Sequence, residues 1–264
     1  MNVKPATAKI SSHALKQNLE IIKQKAPNSK IIAVVKANAY GHGVVFVAST
    51  LEQNVDCFGV ARLEEALALR SNGITKPILL LEGFFNEQDL PILAVNNIET
   101  IVHNREQLEA LKRANLPSPI KVWLKIDTGM HRLGFDPRTD IDRLVNRLHH
   151  QHALIPRSVF SHFVGSDSND FDSFSDKQFA LFEEGSKKLQ TAFNHHIIRH
   201  MDNSAGIEHF PEHQMDMCRL GLGLYGINPR TNAIINNVST LKTTILQLRK
   251  VPAGDTVGYS RRGT

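Results

Sequence analysis

Short apolar runs rich in Ile, Val and Leu recur along the chain, and amphipathic segments fill the intervals. The runs are IIAVVKA (31–37), CFGVA (57–61), PILLLEG (77–83), ETIVHN (99–104), IKVWLKID (120–127), RSVFSHF (157–163), IIRHMDN (197–203) and MDMCRLG (215–221). Each is short and mostly apolar, often β-branched, as strands buried on both faces read. The intervals have helical spacing. SSHALKQNLEIIKQKA (11–26) sets Leu15, Leu19 and Ile22 on one face. ARLEEALALRSNGI (61–74) ends on Asn72-Gly73, a helix stop. NREQLEALKRANL (104–116) opens on Asn104 with Gln107 three residues later, the spacing of a capping box. SDKQFALFEEGSKKLQTAF (175–193) opens on Ser175 and aligns Phe179, Phe182 and Leu189.

Eight alternating strand and helix units in about 200 residues predict an α/β chain with a (β/α)8 barrel of the TIM type over residues 1–232. A doubly wound open sheet is the rival, but no glycine-rich first turn marks a switch point. From residue 233 the texture changes to Thr, Val and Leu, with Pro252-Ala253-Gly254-Asp255 as a turn between two strand-like runs. Residues 233–264 therefore predict the start of an all-β C-terminal domain, truncated and too short to stand alone.

Composition narrows the function classes. The chain has 264 residues, 41% hydrophobic and 22% charged, which suits a folded globular protein. The net charge is +5, but the basic residues are scattered. Without a basic stripe or a known module, nucleic-acid binding is not expected. A mild positive excess suits an anionic small ligand. Cys57 and Cys218 lie far apart and form no CxxC, so two reduced thiols are expected. The N-terminus lacks an apolar signal region, and no run is long enough to span a membrane, so a cytoplasmic location is expected.

In a (β/α)8 barrel the chemistry sits at the C-terminal ends of the strands. Lys36 ends the first run, Lys125 and Asp127 the fifth, with Arg132 just beyond. His162 ends the sixth, Asn203 and Ser204 follow the seventh, and Arg219 and Gly221 end the eighth. Any one of these reads equally well as a cap or core-edge residue. So many polar residues on one rim are harder to explain that way. The loops after the last two strands, DNSAG and RLGLGLYG, offer a hydroxyl and glycine-flanked amides at the usual phosphate site of the fold. A desolvated strand-end lysine is a nucleophilic amine. An amine beside a phosphate site suggests pyridoxal phosphate held as a Schiff base.

Three other motifs carry less. GLGLYG (221–226) matches a dinucleotide fingerprint but comes late, and Asn228-Pro229 follows where a helix should start. DTG (127–129) has no second copy to supply a paired carboxylate. His209 and His213 have metal-ligand spacing, but Pro211 between them breaks the required helix, so no metal is expected.

AVVKANAYGHG (33–43) resembles the pyridoxal-phosphate attachment signature of alanine racemases. The resemblance continues through LKIDTGMHRLGF (124–135), SHFVGSD (161–167), DNSAG (202–206), MCRLGLGLYG (217–226) and GDTVGYSRRG (254–263). It implies a barrel followed by a β domain, a cytoplasmic homodimer, and interconversion of L- and D-alanine for cell-wall peptidoglycan. It implies that Lys36 carries the cofactor and is one of two catalytic bases. Tyr40, Ser204 and the amides of Gly221 and Leu222 would hold the phosphate. Arg219 would face the pyridine nitrogen, with His162 hydrogen-bonded to it. Arg132 would approach the cofactor's phenolic oxygen and the substrate carboxylate. Lys125 is a candidate for carbamylation, its carbamate holding Arg132. Tyr259 would be the second base, acting in the other subunit.

Physical chemistry makes those implied roles coherent. Racemisation takes the Cα proton from one face and returns one to the other, so a base is needed on each side. A free tyrosine titrates near 10, so Tyr259 needs nearby cations to work at neutral pH. An arginine keeps its own proton and cannot accept one, so it leaves the pyridine nitrogen unprotonated, which weakens the electron sink and discourages transamination. The family's further β-domain residues fall beyond Thr264, so the chain is expected to fold its barrel and turn over poorly. Two alternatives remain: a non-catalytic pyridoxal-phosphate-binding protein on the same barrel, and a broad-specificity amino-acid racemase. GDTVGYSRRG has no use in a barrel-only carrier, which favours a racemase.

Overall fold

The computed structural model describes residues 6–148, 152–193, 195–231 and 233–262. Asn232, at the expected domain boundary, and Gly263, in the last motif, lie outside them, as does Thr264. The described residues form two compact units. Residues 11–238 make the larger one, and it holds a single eight-stranded parallel sheet.

The strands of that sheet are β2 (Lys30–Val34), β3 (Cys57–Val60), β4 (Ile78–Leu80), β5 (Ile98–Val102), β6 (Ile120–Lys125), β7 (Leu154–Phe160), β8 (Ile198–His200) and β9 (Met217–Leu220). All eight predicted strands are present. Neighbours in sequence pair in parallel from β2 to β8, and β9 pairs with β2. Between β8 and β9 the ring is closed by two backbone bonds. Asp216 N–H donates to Arg199 O at 3.1 Å, and Arg219 N–H donates to Asp202 O at 2.9 Å. The result is a (β/α)8 barrel.

Its core draws on every strand of the ring. Ile32, Cys57, Leu79, Ile101, Trp123, Phe160 and Met217 form one buried cluster, with Ile198 packed against it. Cys57 and Cys218 are both buried free thiols. One carboxylate intrudes on this apolar interior. Glu99 of β5 is 2% exposed, accepts from Trp123 Nε1 at 2.6 Å, and pairs with Arg157 at 2.6 Å. Burial raises its pKa against the pull of Arg157.

Helix ends show where local pattern and tertiary contact disagree. Asn104 caps its helix as expected, its side chain accepting from Gln107 N–H at 2.8 Å. The reciprocal half of the capping box is absent. Gln107 instead accepts from His103 N–H at 3.0 Å and donates to Phe84 O at 3.2 Å, so its side chain is spent on backbone groups outside the helix. The helix expected to open on Ser175 starts earlier and spans Asp172–Ala192, with Ser175 buried inside it. Lys36 lies just past β2 rather than ending it: Val35 N–H still donates to Gly59 O, and the chain then turns.

The second unit comprises residues 6–10 and 239–262 of those described. In it β1 (Thr7–Ile10) and β10 (Ser239–Lys242) pair antiparallel. Of the strand-like runs on either side of Pro252-Asp255, the first supplies β10, and the second forms no strand among the described residues, with a single bridge position at Val257. The turn itself forms, with Asp255 N–H donating to Pro252 O at 3.1 Å and Gly254 at φ +92°.

Replacing Glu99 with Ala should destabilise the barrel by about 3 kcal/mol, because the Trp123 indole and the Arg157 guanidinium then lose their buried acceptor. Urea unfolding of the variant and parent would show this as a lower midpoint at unchanged slope.

Candidate active site

The C-terminal mouth of the barrel holds a cavity of about 880 Å³. Lys36, Tyr40, Lys125, Arg132, His162, Ser204, Arg219, Gly221 and Leu222 all line it. Tyr259 belongs to the other unit, where its ring is fully exposed.

Lys36 and Tyr40 bracket an unusual turn. Ala37, Asn38, Ala39 and Tyr40 all have φ between 52° and 55°, followed by Gly41 at 87° and Gly43 at 91°. Such left-handed backbone costs an L-residue about 1 kcal/mol or more each, so the surroundings must over-determine it. They do so through two side chains. Glu65 Oε1 accepts from Asn38 N–H at 3.1 Å, and Asn38 Oδ1 accepts from Val44 N–H at 2.8 Å. The turn brings the Tyr40 hydroxyl beside Gly221, where even a Cβ would sit 3.5 Å from it. Burial raises the Tyr40 pKa, so the hydroxyl stays a donor.

Next to it lies an anion cradle. Ser204 Oγ accepts from Gly221 N–H at 2.9 Å and from Gly223 N–H at 3.3 Å. Asn203 caps the short helix Ser204–His209, accepting from Ala205 and Gly206 N–H at 3.0 and 2.9 Å and from Ser166 Oγ at 2.9 Å.

Arg219 projects from β9 and is 5% exposed. Its guanidinium meets only neutral acceptors: Ser161 O and Met201 O at 2.8 Å, His162 Nδ1 at 2.9 Å and His200 Nδ1 at 2.5 Å. Burial lowers its pKa to about 10, so it remains a cation. Burial and Arg219 together push both histidines well below the usual imidazole range. Each is therefore neutral, with an Nδ1 lone pair facing the guanidinium. Nε–H of Arg219 has no acceptor among the described residues.

Three amine or guanidinium groups complete the floor. Lys125 sits 4.9 Å above the Phe160 ring, and burial with Arg219 and Arg132 nearby lowers its pKa to about 7. Much of it is free amine at neutral pH. Neither Lys36 nor Arg132 makes a hydrogen bond or ion pair among the described residues, which leaves both open to a ligand.

Several residues bearing on the site escape a reading by motif. His200 pairs with Arg219 from inside β8. Gln178 reaches in from a helix. Asp202 is wholly buried with both carboxylate oxygens unpartnered, and Gly206 leaves the room it needs. Asp202 opens the DNSAG motif itself, but the motif assigns its carboxyl no role.

The geometry has relatives. A family model described as "Alanine racemase, N-terminal domain" matches residues 10–229. The chain is 62% identical over 265 residues to the alanine racemase of Haemophilus influenzae, covering 98% of this chain and 71% of that protein. It is 52% identical to the alanine racemase of Pasteurella multocida, again over 98% and 71%. The structure of alanine racemase from Acinetobacter baumannii superposes with a TM-score of 0.85 at 33% identity, over 98% of this chain and 72% of that one. The crystal structure of the biosynthetic alanine racemase from Pseudomonas aeruginosa gives 0.83 at 32%, over the same shares. No helix among the described residues is long and apolar enough to cross a membrane.

Asp202 gives the site a pH-dependent stability. Burial raises its pKa from 3.8 to about 7, opposed by Arg219. The unfolded chain sheds this proton first, so stability falls as pH rises from 3.8 to about 7 and stays low above that. Asp202→Asn should therefore raise Tm by a few degrees, and by more near pH 8 than near pH 5. An equal gain at both would mean the carboxyl is not held protonated.

Proposed function

The chain belongs to the alanine racemase family, and from that premise we propose that it interconverts L- and D-alanine on pyridoxal phosphate by two bases, as a homodimer. One observation carries this reading. A lysine without a partner, an anion cradle, a sealed arginine and an open arginine line one cavity.

The donor set fits the cofactor. Tyr40, Ser204 and the Gly221 and Leu222 amides would hold its phosphate at the cradle. Arg219, fixed by His162 and three further acceptors, would present a donor to the ring nitrogen. Lys36 would carry the cofactor at the mouth. When bound, pyridoxal phosphate supplies the electron sink that makes the substrate Cα acidic.

The remaining work is done by side chains. Arg132, without a hydrogen bond or ion pair among the described residues, would bind the substrate carboxylate and fix its orientation. Lys125, with its pKa lowered to about 7, has a substantial share of the free, nucleophilic amine that carbamylation needs, and its carbamate would restrain Arg132. The Lys36 amine would exchange the Cα proton on one face. The Tyr259 hydroxyl of the second subunit would exchange it on the other, and the full exposure of its ring supports an action outside its own unit. Arg219 keeps its proton, so it would offer the ring nitrogen a hydrogen bond without giving up the proton, which would favour proton return to Cα over side reactions. D-alanine formed in this way serves cell-wall peptidoglycan.

Lys36→Ala should abolish both the bound-cofactor absorbance and turnover. Tyr259→Phe should keep the absorbance and lose about 100-fold or more in L- to D-alanine conversion. Mixing the two inactive variants should restore about a quarter of parental activity, because half of the random dimers are mixed and each has one intact site. Normal turnover by Tyr259→Phe, or no restoration on mixing, would overturn the second base or its origin in the partner.

A further inference from the structure

We propose that Gln178 is a positioning residue for the racemase reaction, locking His162 and the loop that carries Arg132 into one register. The inference rests on the roles proposed above for those two residues.

Gln178 lies in the helix Asp172–Ala192, outside the strand ring, and is 1% exposed. Its amide is fully used. Oε1 accepts from Val164 N–H at 3.0 Å, and Nε2 donates to His162 O and to Thr128 Oγ1, each at 3.2 Å. The backbone on either side of Phe163 is therefore held by one side chain. The same amide group reaches the loop after β6, four residues before Arg132.

From Thr128 the hydrogen bonds run in a single direction. Ser161 Oγ donates to Ile126 O at 2.8 Å, so its remaining capacity is as acceptor. The Thr128 hydroxyl must then donate to Ser161 at 2.8 Å, leaving its oxygen to accept from Gln178. The order Gln178, Thr128, Ser161, Ile126 follows with every proton assigned. Two of the acceptors that fix Arg219, Ser161 O and His162 Nδ1, sit on residues this chain touches. A buried glutamine amide needs partners for its oxygen and for both N–H groups, and here they come from two different segments. This one joins the segments after β6 and β7, which carry Arg132 and His162.

The consequence is specific. Without the Gln178 donor pair, the His162 ring and the Arg132 loop can shift independently, while the phosphate cradle at Ser204 and Gly221 is untouched. Gln178→Glu keeps the shape but, once ionised, turns two donors into acceptors facing acceptors. In the cofactor-loaded enzyme it should retain full cofactor content, lower kcat, raise the KM for alanine, and lose about 10- to 100-fold in kcat/KM. The pH at which the bound-cofactor absorbance titrates should shift, and lowering the pH should recover part of the loss as the carboxyl regains a proton. Thr128→Val breaks the same chain without altering Gln178 and should move KM and kcat in the same direction, which covers the case of a misfolded Gln178 variant. Folded variants with parental kcat, KM and absorbance titration would overturn the proposal. His162→Ala with parental turnover would instead overturn the site assignment beneath it.

Discussion

The site depends on one electrostatic constraint: a guanidinium buried with no ion pair touching it. Arg219 donates only to neutral oxygens and imidazole nitrogens. A buried cation so placed is stable only if its acceptors are held without slack, since each misaligned bond leaves a desolvated charge. The acceptors come from the ends of β7 and β8 and from the residues just beyond them. One of the two backbone bonds that close the ring between β8 and β9 runs from Arg219 N–H to Asp202 O, so ring closure also sets the depth of the guanidinium. The two histidines stay neutral because they are buried and because Arg219 beside them is charged, and their lone pairs help Arg219 stay charged.

The same charge shapes its neighbours across the barrel mouth. Lys125 loses its proton readily because burial and two arginines oppose a third cation there. Burial keeps Asp202 protonated to about pH 7, although Arg219 pulls its pKa the other way through space. A site that collects positive charge on its floor and leaves Arg132 and Lys36 without protein partners is arranged for a ligand that brings negative charge with it. That is the electrostatic reason an acidic phosphate and a carboxylate suit the same cavity.

The barrel was legible in the sequence because buried parallel strands impose a local signature. Runs such as IIAVV and ILLL have no other common use between amphipathic helices. Boundaries were less legible. Lys36 reads as the end of its strand, but four left-handed residues after it are stabilised by Glu65, which is 27 positions from Asn38. Ser175 reads as a helix start, but packing carries the helix back to Asp172. Gln107 has the spacing of a capping box but spends its side chain on His103 and Phe84. In each case a contact remote in sequence outweighs a local preference.

The residues around the cavity were legible for a different reason. Strand ends in a barrel share one rim, so position in the pattern predicts position in space. That logic stops one layer out. Gln178, His200 and Asp202 matter through what they touch, and Gln178 reaches Thr128 across 50 residues of sequence. Nothing in the helical spacing of DKQFALF distinguishes a glutamine that points at solvent from one that threads the wall. The layer that aims the reactive groups is thus specified by packing alone, and a substitution there would leave the recognisable motifs intact while misaligning the chemistry they carry.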